Sequence, residues 1–416
     1  MAVIDPMPLP AEPLDWQFKG FPAVEPPPTA EAVGDMGWDL FGSGFMTPVM
    51  VLRASAVARN VAALRRFIDA NGVDLAPHAK TMMAPVLVAA QDEAGTWAMT
   101  VANVFQARVL HACGARRILI ANEVVDPAAI RWIAQRLAED ADLEIWCFVD
   151  SVAGVRQLAD GLGAIPGVRP LHVICELGAP SGRAGCRTVD ELVGVAEAAH
   201  AAPTLRVAGI GGYEGSIGSG RGAQTLDAIG RWVADLRLGA AKLRSDGLID
   251  TEECLITAGG SAYFDVVSDG LTPAPDGVRV VLRSGAYIGH DRGLYQEVSP
   301  LASELEPALE LHGTVQSRPE PGLAICDFGR RDAPFDSGMP IPFAARRTDR
   351  IEPCAAVVRR MDDQHAYVDL TDEQELEVGD RLICGISHPC TAFDRWKALP
   401  LVDDDYRVTG VVRTFF

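Results

Sequence analysis

The chain has 416 residues, 48% hydrophobic and 22% charged, and its 37 basic against 56 acidic side chains leave a formal charge of −19. That length exceeds one ordinary core and predicts a globular protein of two domains. A surface this acidic repels phosphate backbones and anionic lipid, which excludes nucleic-acid and membrane-surface partners, although a pocket can carry its own positive field.

The nine cysteines are scattered and form no CxxC pair. An odd, dispersed set of thiols among Val, Ile and Ala predicts a reducing, cytoplasmic setting and not a disulfide framework. The first twenty residues, MAVIDPMPLPAEPLDWQFKG, are acidic and proline-rich, without the basic start or apolar core of a signal peptide. No apolar run reaches membrane-spanning length.

Residues 1–45 read as an extended arm. Trp16, Phe18, Phe21, Trp38 and Phe41 argue that it docks on another surface, such as a neighbouring subunit. From about residue 48, short β-rich runs alternate with segments apolar at helical spacing. PVMVLRA (48–54) reads as a strand, and 55–72 as a helix capped by Ser55 and stopped by Asn71-Gly72. Further strands are predicted at 73–80, 96–101, 115–122, 143–150, 171–178, 206–213 and 253–260, with helical stretches between them. This repetition predicts a closed (β/α)8 TIM-type barrel over 46–280, with an open doubly wound sheet as its main rival. Beyond 281 the pattern becomes β segments joined by turns, as in VRVVLRSGAYIG, ALELHGTVQSRP, GLAICDFGR, CAAVVRRMDDQHAYVDL, DRLICGISH and YRVTGVVRTFF. These predict a C-terminal antiparallel β domain over 281–416.

Three short segments carry chemistry. Lys80, in Ala76-Pro77-His78-Ala79-Lys80-Thr81, follows an early strand, on the face where barrels build their sites. Its flanks Leu75, Ala76, Ala79, Met82 and Met83 would desolvate the amine, lower its pKa and make it nucleophilic toward an aldehyde. Thr257-Ala258-Gly259-Gly260-Ser261 follows a late strand, where glycine amides and hydroxyls suit a phosphate. His388 and Cys390, in Ser387-His388-Pro389-Cys390, stand at i and i+2 of a segment read as extended, on one side, where one nitrogen and one sulfur suit Zn²⁺. Each segment taken alone has a commonplace reading: a strand-edge lysine, a glycine turn, a buried Cys beside a strand His.

Taken in order, the motifs resemble the D-serine dehydratase / D-threonine aldolase family, whose architecture is that of alanine racemase. The matching stretches include PHAKT (77–81), ELGAPSGRAG (176–185), GGYEG (211–215), TAGGSAYFD (257–265), LRSGAYIGHD (282–291) and VGDRLICGISHPC (378–390). The resemblance implies that Lys80 carries pyridoxal 5′-phosphate and takes the substrate's α-proton. It implies a cofactor site built from His78, Arg183, Tyr213, Thr257, Gly259, Gly260, Ser261 and Tyr287. It implies a divalent metal on His388 and Cys390, and a homodimer whose sites lie between one barrel and the other subunit's β domain. The substrate expected is a small D-configured β-hydroxy amino acid. Cys390 stands where the family's dehydratases have Cys and its aldolases Asp, which favours elimination with Zn²⁺ over retro-aldol cleavage with Mn²⁺ or Mg²⁺. Gln106 and the Gly212 region depart from the family pattern and bear on substrate identity. His365 matches a recurrent family histidine with an ordinary β-domain role. The competing readings are an amino-acid racemase of the same fold and a non-catalytic pyridoxal-phosphate carrier.

Overall fold

A computed structural model describes residues 12–371 and 376–416. The first eleven residues of the predicted arm lie outside the described residues. In chain order the elements are β1 (Val49–Arg53), α1 (Ala54–Asn71), β2 (Asp74–Leu75), α2 (Pro85–Glu93), β3 (Met99–Val101), α3 (Val104–Ala112), β4 (Arg117–Glu123), α4 (Pro127–Glu139), β5 (Glu144–Val149) and α5 (Val152–Gly163). There follow β6 (Leu171–Glu176), α6 (Val189–His200), β7 (Leu205–Gly211), α7 (Ala223–Ser245), β8 (Cys254–Ala258), α8 (Phe264–Leu271), β9 (Val278–Leu282) and α9 (Leu294–Val298). The rest is β: β10 (Leu309–Glu320), β11 (Leu323–Cys326), β12 (Ile341–Arg347), β13 (Arg350–Pro353), β14 (Val357–Met361), β15 (Ala366–Asp369), β16 (Arg381–Gly385), β17 (Ala398–Val402) and β18 (Val408–Arg413).

Strands β2 to β9 are all parallel and run in the order β2-β9-β8-β7-β6-β5-β4-β3. The ends of this sheet meet. The Trp97 N–H donates to the Leu75 carbonyl at 2.7 Å and the Thr100 N–H to the Pro77 carbonyl at 3.0 Å, closing the barrel. Polar residues after the strands start the helices: Asn103, Asp126, Ser151 and Thr188 each accept a backbone N–H of the following first turn. The barrel interior is filled by Trp97, Leu119, Trp146, Phe148, Ile174 and Leu255. Arg117 lies over the Trp97 ring at 4.4 Å, and Glu144 and Arg279 stand beside these rings in the same cleft. The plug fills the barrel toward the strand starts, and barrels build their sites at the opposite, C-terminal mouth.

The expected fold class is borne out, with corrections at its edges. The segment 48–54, read as the first barrel strand, supplies β1, which pairs antiparallel with β10 and parallel with β17 in the second sheet. The segment 278–282, read as the opening of the β domain, is β9, the eighth barrel strand. Both are short apolar strands, and their composition does not distinguish one buried parallel partner from another. The second sheet is mixed for the same reason: β1 lies beside β17 in parallel while its other pairings are antiparallel. Ser55 is not the cap of α1. Its hydroxyl donates to Asp404 at 2.6 Å and Arg53 occupies the cap position without a side-chain bond, whereas Gly72 ends the helix at φ 61° as expected.

The arm docks on its own chain. Leu14, Phe18, Phe21, Trp38, Leu40 and Phe45 are buried against Val49, Val51, Ala398, Val402 and Val408 of the second sheet. This corrects the expectation of another subunit's surface: the outer face of β1 and β17 is apolar and needs a cover, and the arm is tethered directly to β1. Trp16, counted with the docking aromatics, stays 89% exposed.

Candidate active site

The cavity at the open mouth of the barrel is lined by His78, Lys80, Asn122, Arg183, Tyr213, Gly260 and Arg283. Four predicted cofactor residues on four different loops thus converge with Lys80 on one space. Lys80 sits in the 3₁₀ turn Ala79–Thr81 that follows β2, with His78 as its N-cap. Its side chain is exposed to the cavity, whose walls crowd the amine. Desolvation, reinforced by Arg183 and Arg283 and opposed by Cys390, holds the amine below its ordinary pKa. Burial, Lys80 and the same two arginines push His78 well down, so that its imidazole is neutral.

Arg283 is 6% exposed and donates to the Thr257 hydroxyl at 2.9 Å and to the Gly212 carbonyl at 2.5 Å, with the Phe148 ring 5.3 Å away. Arg183 lies over the Tyr213 ring at 4.9 Å. Two guanidinium groups and an amine make this mouth cationic inside a chain of net charge −19. Beneath them lies an acidic pair. Glu176, 2% exposed, hydrogen-bonds with Glu123, and burial followed by Glu123 pushes its pKa up to about 9.

His388 and Cys390 reach this mouth from the β domain of the same chain. The Cys390 sulfur lies 3.1 Å from the Thr81 hydroxyl, next to Lys80. The two candidate ligands touch each other, though not by the route expected. β16 ends at Gly385, His388 is extended, and Pro389 starts a 3₁₀ turn, Pro389–Thr391, that swings Cys390 back toward the imidazole. His388 Nδ1 is 2.6 Å from Asp336 Oδ2, and the Thr391 hydroxyl donates to Asp336 Oδ1 at 2.6 Å. A carboxylate on Nδ1 fixes the ring and leaves Nε2 to face a metal. Burial alone would lower His388, but Cys390 and Asp336 overcome it and raise the imidazole to about 9. Burial alone would raise the Cys390 thiol, but His388, Thr81 and Lys80 bring it below its ordinary value, toward thiolate. No group of three or more metal-binding side chains exists among the described residues. A metal here would have two protein ligands and open positions for substrate.

The predicted phosphate loop is arranged differently from expectation. The Gly259 and Gly260 N–H groups donate to the two carboxylate oxygens of Glu214, at 3.1 and 2.5 Å. Thr257 is buried, donating to the Val281 carbonyl and accepting from Arg283. It positions the arginine and does not face the cavity. Ser261 accepts the Ala286 N–H at 3.2 Å, which leaves its own hydrogen to donate. Tyr287 is also corrected: it is 3% exposed, in the core, with its hydroxyl accepting from Gln91 at 2.8 Å. His365 lines a separate surface cleft with Arg330, Asp362 and Gln364. Gln106 serves locally, accepting the Ala102 N–H at 2.8 Å.

Sequence reasoning missed Arg283, Glu214, Asp336 and Tyr295. Arg283 and Glu214 lie inside stretches that match the family, so proximity to Gly285 and Tyr213 was the available signal. Asp336 carries none, being an isolated loop acid far from the HPC segment. Tyr295 hydrogen-bonds to Cys390 with its ring 5.9 Å from His388, and burial, then Cys390, raise its phenol.

Residues 308–402 match a family described as "Putative serine dehydratase domain". A D-threonine aldolase from Arthrobacter sp is 28% identical over 71% of this chain and 75% of its own length. A D-threo-3-hydroxyaspartate dehydratase from Delftia sp. is 29% identical over 68% of this chain and 71% of its own. Among solved structures, D-threonine aldolase from Filomicrobium marinum superposes with a TM-score of 0.76 at 25% identity, covering 89% of this chain and 95% of that one. Alanine racemase from Bacillus anthracis shares the fold at a TM-score of 0.59 and 17% identity, covering 89% and 98%. The resemblance read from the motifs is borne out.

Proposed function

We propose, on the premise that this chain is a member of the D-serine dehydratase / D-threonine aldolase family, that it is a pyridoxal-phosphate- and metal-dependent lyase acting on a D-configured β-hydroxy amino acid, by elimination to a 2-oxo acid and ammonia. The observation that carries the reading is the 3.1 Å contact between Thr81 and Cys390, which puts a nitrogen–sulfur ligand pair beside a desolvated lysine. The residues fit both groups. Arg183, Tyr213 and Ser261 would hold the cofactor beside Lys80, with Gly260 in the cavity wall, and His388 and Cys390 would hold the metal, which we read as Zn²⁺ from its N,S donors.

When bound, pyridoxal phosphate supplies an electron sink for negative charge at Cα, and the metal supplies a Lewis acid for the β-oxygen. Lys80, with its lowered pKa, is suited to take the α-proton near neutral pH. Arg183 and Arg283 offer positive charge to the anionic groups that enter the mouth. Asp336 holds His388 in one orientation, and the Thr81 hydroxyl approaches the Cys390 sulfur. Loss of the β-hydroxyl with the α-proton removes water and leaves an enamine that hydrolyses to 2-oxo acid and ammonia.

The aldolase reading is the second, favoured by the names of the relatives, two of the three enzyme types among them being aldolases. Incubation with D-serine, D-threonine and 3-hydroxy-D-aspartate, assaying ammonia and aldehyde separately, decides between them. Ammonia without glycine is the result expected, and glycine with an aldehyde would establish the aldolase. Release of neither, with only the L-enantiomer appearing, would establish a racemase.

We also read the working unit as a cytoplasmic homodimer. Phe105 in the first turn of α3 and Val125 in the loop after β4, each about half exposed, support a partner surface near the cavity-lining Ala102 and Asn122. The nine cysteines are free thiols, eight of them buried, which supports a reducing compartment. The metal pair meets Lys80 of its own chain, so a partner is not needed to supply it. No helix among the described residues is long and apolar enough to cross a membrane.

A further inference from the structure

Glu214 is fully buried, and no cation among the described residues comes within ion-pair distance of it, although its charge acts on the nearby Arg283 guanidinium. Burying a carboxylate is costly unless strong hydrogen bonds replace its water. Here the replacements are the N–H groups of Gly259 and Gly260, one to each oxygen. These are the two amides that a glycine loop after a late barrel strand would offer to a phosphate. The loop has no freedom to choose otherwise. Gly259 sits at φ +85°, where a Cβ would stand 2.6 Å from Leu282 Cδ2, and a Cβ on Gly260 would stand 2.9 Å from the Tyr213 ring. Arg283 N–H and the Ser284 hydroxyl both donate to the Gly259 carbonyl, at 3.2 and 2.9 Å, which holds the far side of the same peptide. Next along the loop from these tethered amides is Ser261, whose hydroxyl hydrogen is uncommitted.

We propose that Glu214 is a positioning residue for phosphate recognition: its carboxylate ties down the Gly259 and Gly260 amides and thereby sets Ser261 and the backbone beyond it as the phosphate donors. The Tyr213-Glu214 dipeptide then has a divided role. Tyr213 faces the cavity and carries Arg183 on its ring, while Glu214, pointing the other way, fixes the loop against that ring. The proposal rests on the pyridoxal-phosphate reading above and adds to it the part of the cofactor that Glu214 serves.

The test compares pyridoxal 5′-phosphate with pyridoxal, which keeps the aldehyde and lacks the phosphate, by absorbance titration of the full chain. Glu214→Gln offers one acceptor oxygen and one amide donor, so it satisfies one N–H and opposes the other. The variant is expected to bind pyridoxal phosphate on the order of ten- to hundredfold more weakly, from the loss of one charge-assisted bond, with pyridoxal affinity unchanged. Equal loss for both compounds, no loss, or tighter binding of the phosphate form would overturn the proposal. Tighter binding would mean that Glu214 merely occupies the phosphate's own place. Where circular dichroism shows that Glu214→Gln does not fold, Glu214→Asp, which keeps the charge but withdraws it, is read by the same criterion. A wild-type chain that binds neither compound would sink the cofactor reading itself, a result distinct from any of these.

Discussion

The Thr81 hydroxyl and the Cys390 sulfur, 309 positions apart in the chain, stand 3.1 Å from each other across the seam between barrel and β domain. The contact joins the turn that carries Lys80 to the turn that carries the candidate metal ligands. Chemistry at Cα and at the β-oxygen of one small substrate requires such a junction, because the two atoms are only two bonds apart.

Lys80 is therefore the residue whose loss matters most. Borohydride reduction in the presence of pyridoxal phosphate followed by peptide mapping should mark the peptide holding Lys80. Lys80→Ala should lose both that mark and turnover, by roughly 10²–10⁴-fold or more as expected for a missing general base. A mark on Lys19, Lys242 or Lys397 instead would remove Lys80 from its role.

PHAKT and HPC were legible because an apolar-flanked lysine after a strand and an N,S pair are chemical statements that survive without a fold. The exchange of β1 and β9 between domains was not legible, since a run such as Val49–Arg53 buries its residues equally well in either sheet. His388 and Cys390 converge as expected, yet through the turn that Pro389 starts and not through strand alternation. Asp336 and Glu214 were hidden for another reason. Each acts by accepting hydrogen bonds from groups brought close only by tertiary folding, and no local pattern encodes that.

The metal prediction follows from the ligand count. Two protein ligands hold an ion weakly enough for a chelator to remove it. Chelation should abolish turnover, Zn²⁺ should restore it, and circular dichroism should not change. His388→Ala should behave as permanently chelated enzyme. Full activity after exhaustive chelation would make the pair structural.

Cys390→Asp replaces a soft ligand by a hard one. The variant should lose preference for Zn²⁺ relative to Mn²⁺ or Mg²⁺ in reconstitution. Ammonia release should fall and the ratio of glycine to ammonia should rise. An unchanged order of metals would show that Cys390 does not contact the ion.

Glu176 makes stability depend on pH. Its folded-state pKa is raised, to about 9 from an ordinary 4.5, by burial and by Glu123. Below the ordinary value both folded and unfolded chains hold the proton and stability is complete. As pH rises from there toward 9 the unfolded chain releases a proton that the folded chain must keep, and stability falls. Glu176→Gln removes this loss, so the variant should gain on wild type between pH 5 and pH 8, by up to about 1.4 kcal/mol for each pH unit. Thermal melts across that range check it, and a difference that is flat with pH would mean that Glu176 is ionised in the folded chain.

The arm yields the last prediction. Phe21 is 3% exposed, its ring 5.7 Å from that of Phe45, and both are packed on the outer face of the second sheet. Phe21→Ala opens a cavity in that layer and should cost about 3–5 kcal/mol. Because the arm covers its own chain, the loss of melting temperature should be the same at any protein concentration. An arm exchanged between subunits would behave otherwise: the variant's deficit would shrink as concentration rises, since association would restore part of the lost burial by mass action. Melts at protein concentrations spanning a wide range separate the two. A concentration-dependent deficit would return the arm to a neighbouring subunit and make the cis packing of Trp38, Leu40 and Phe45 one arrangement of a swappable segment.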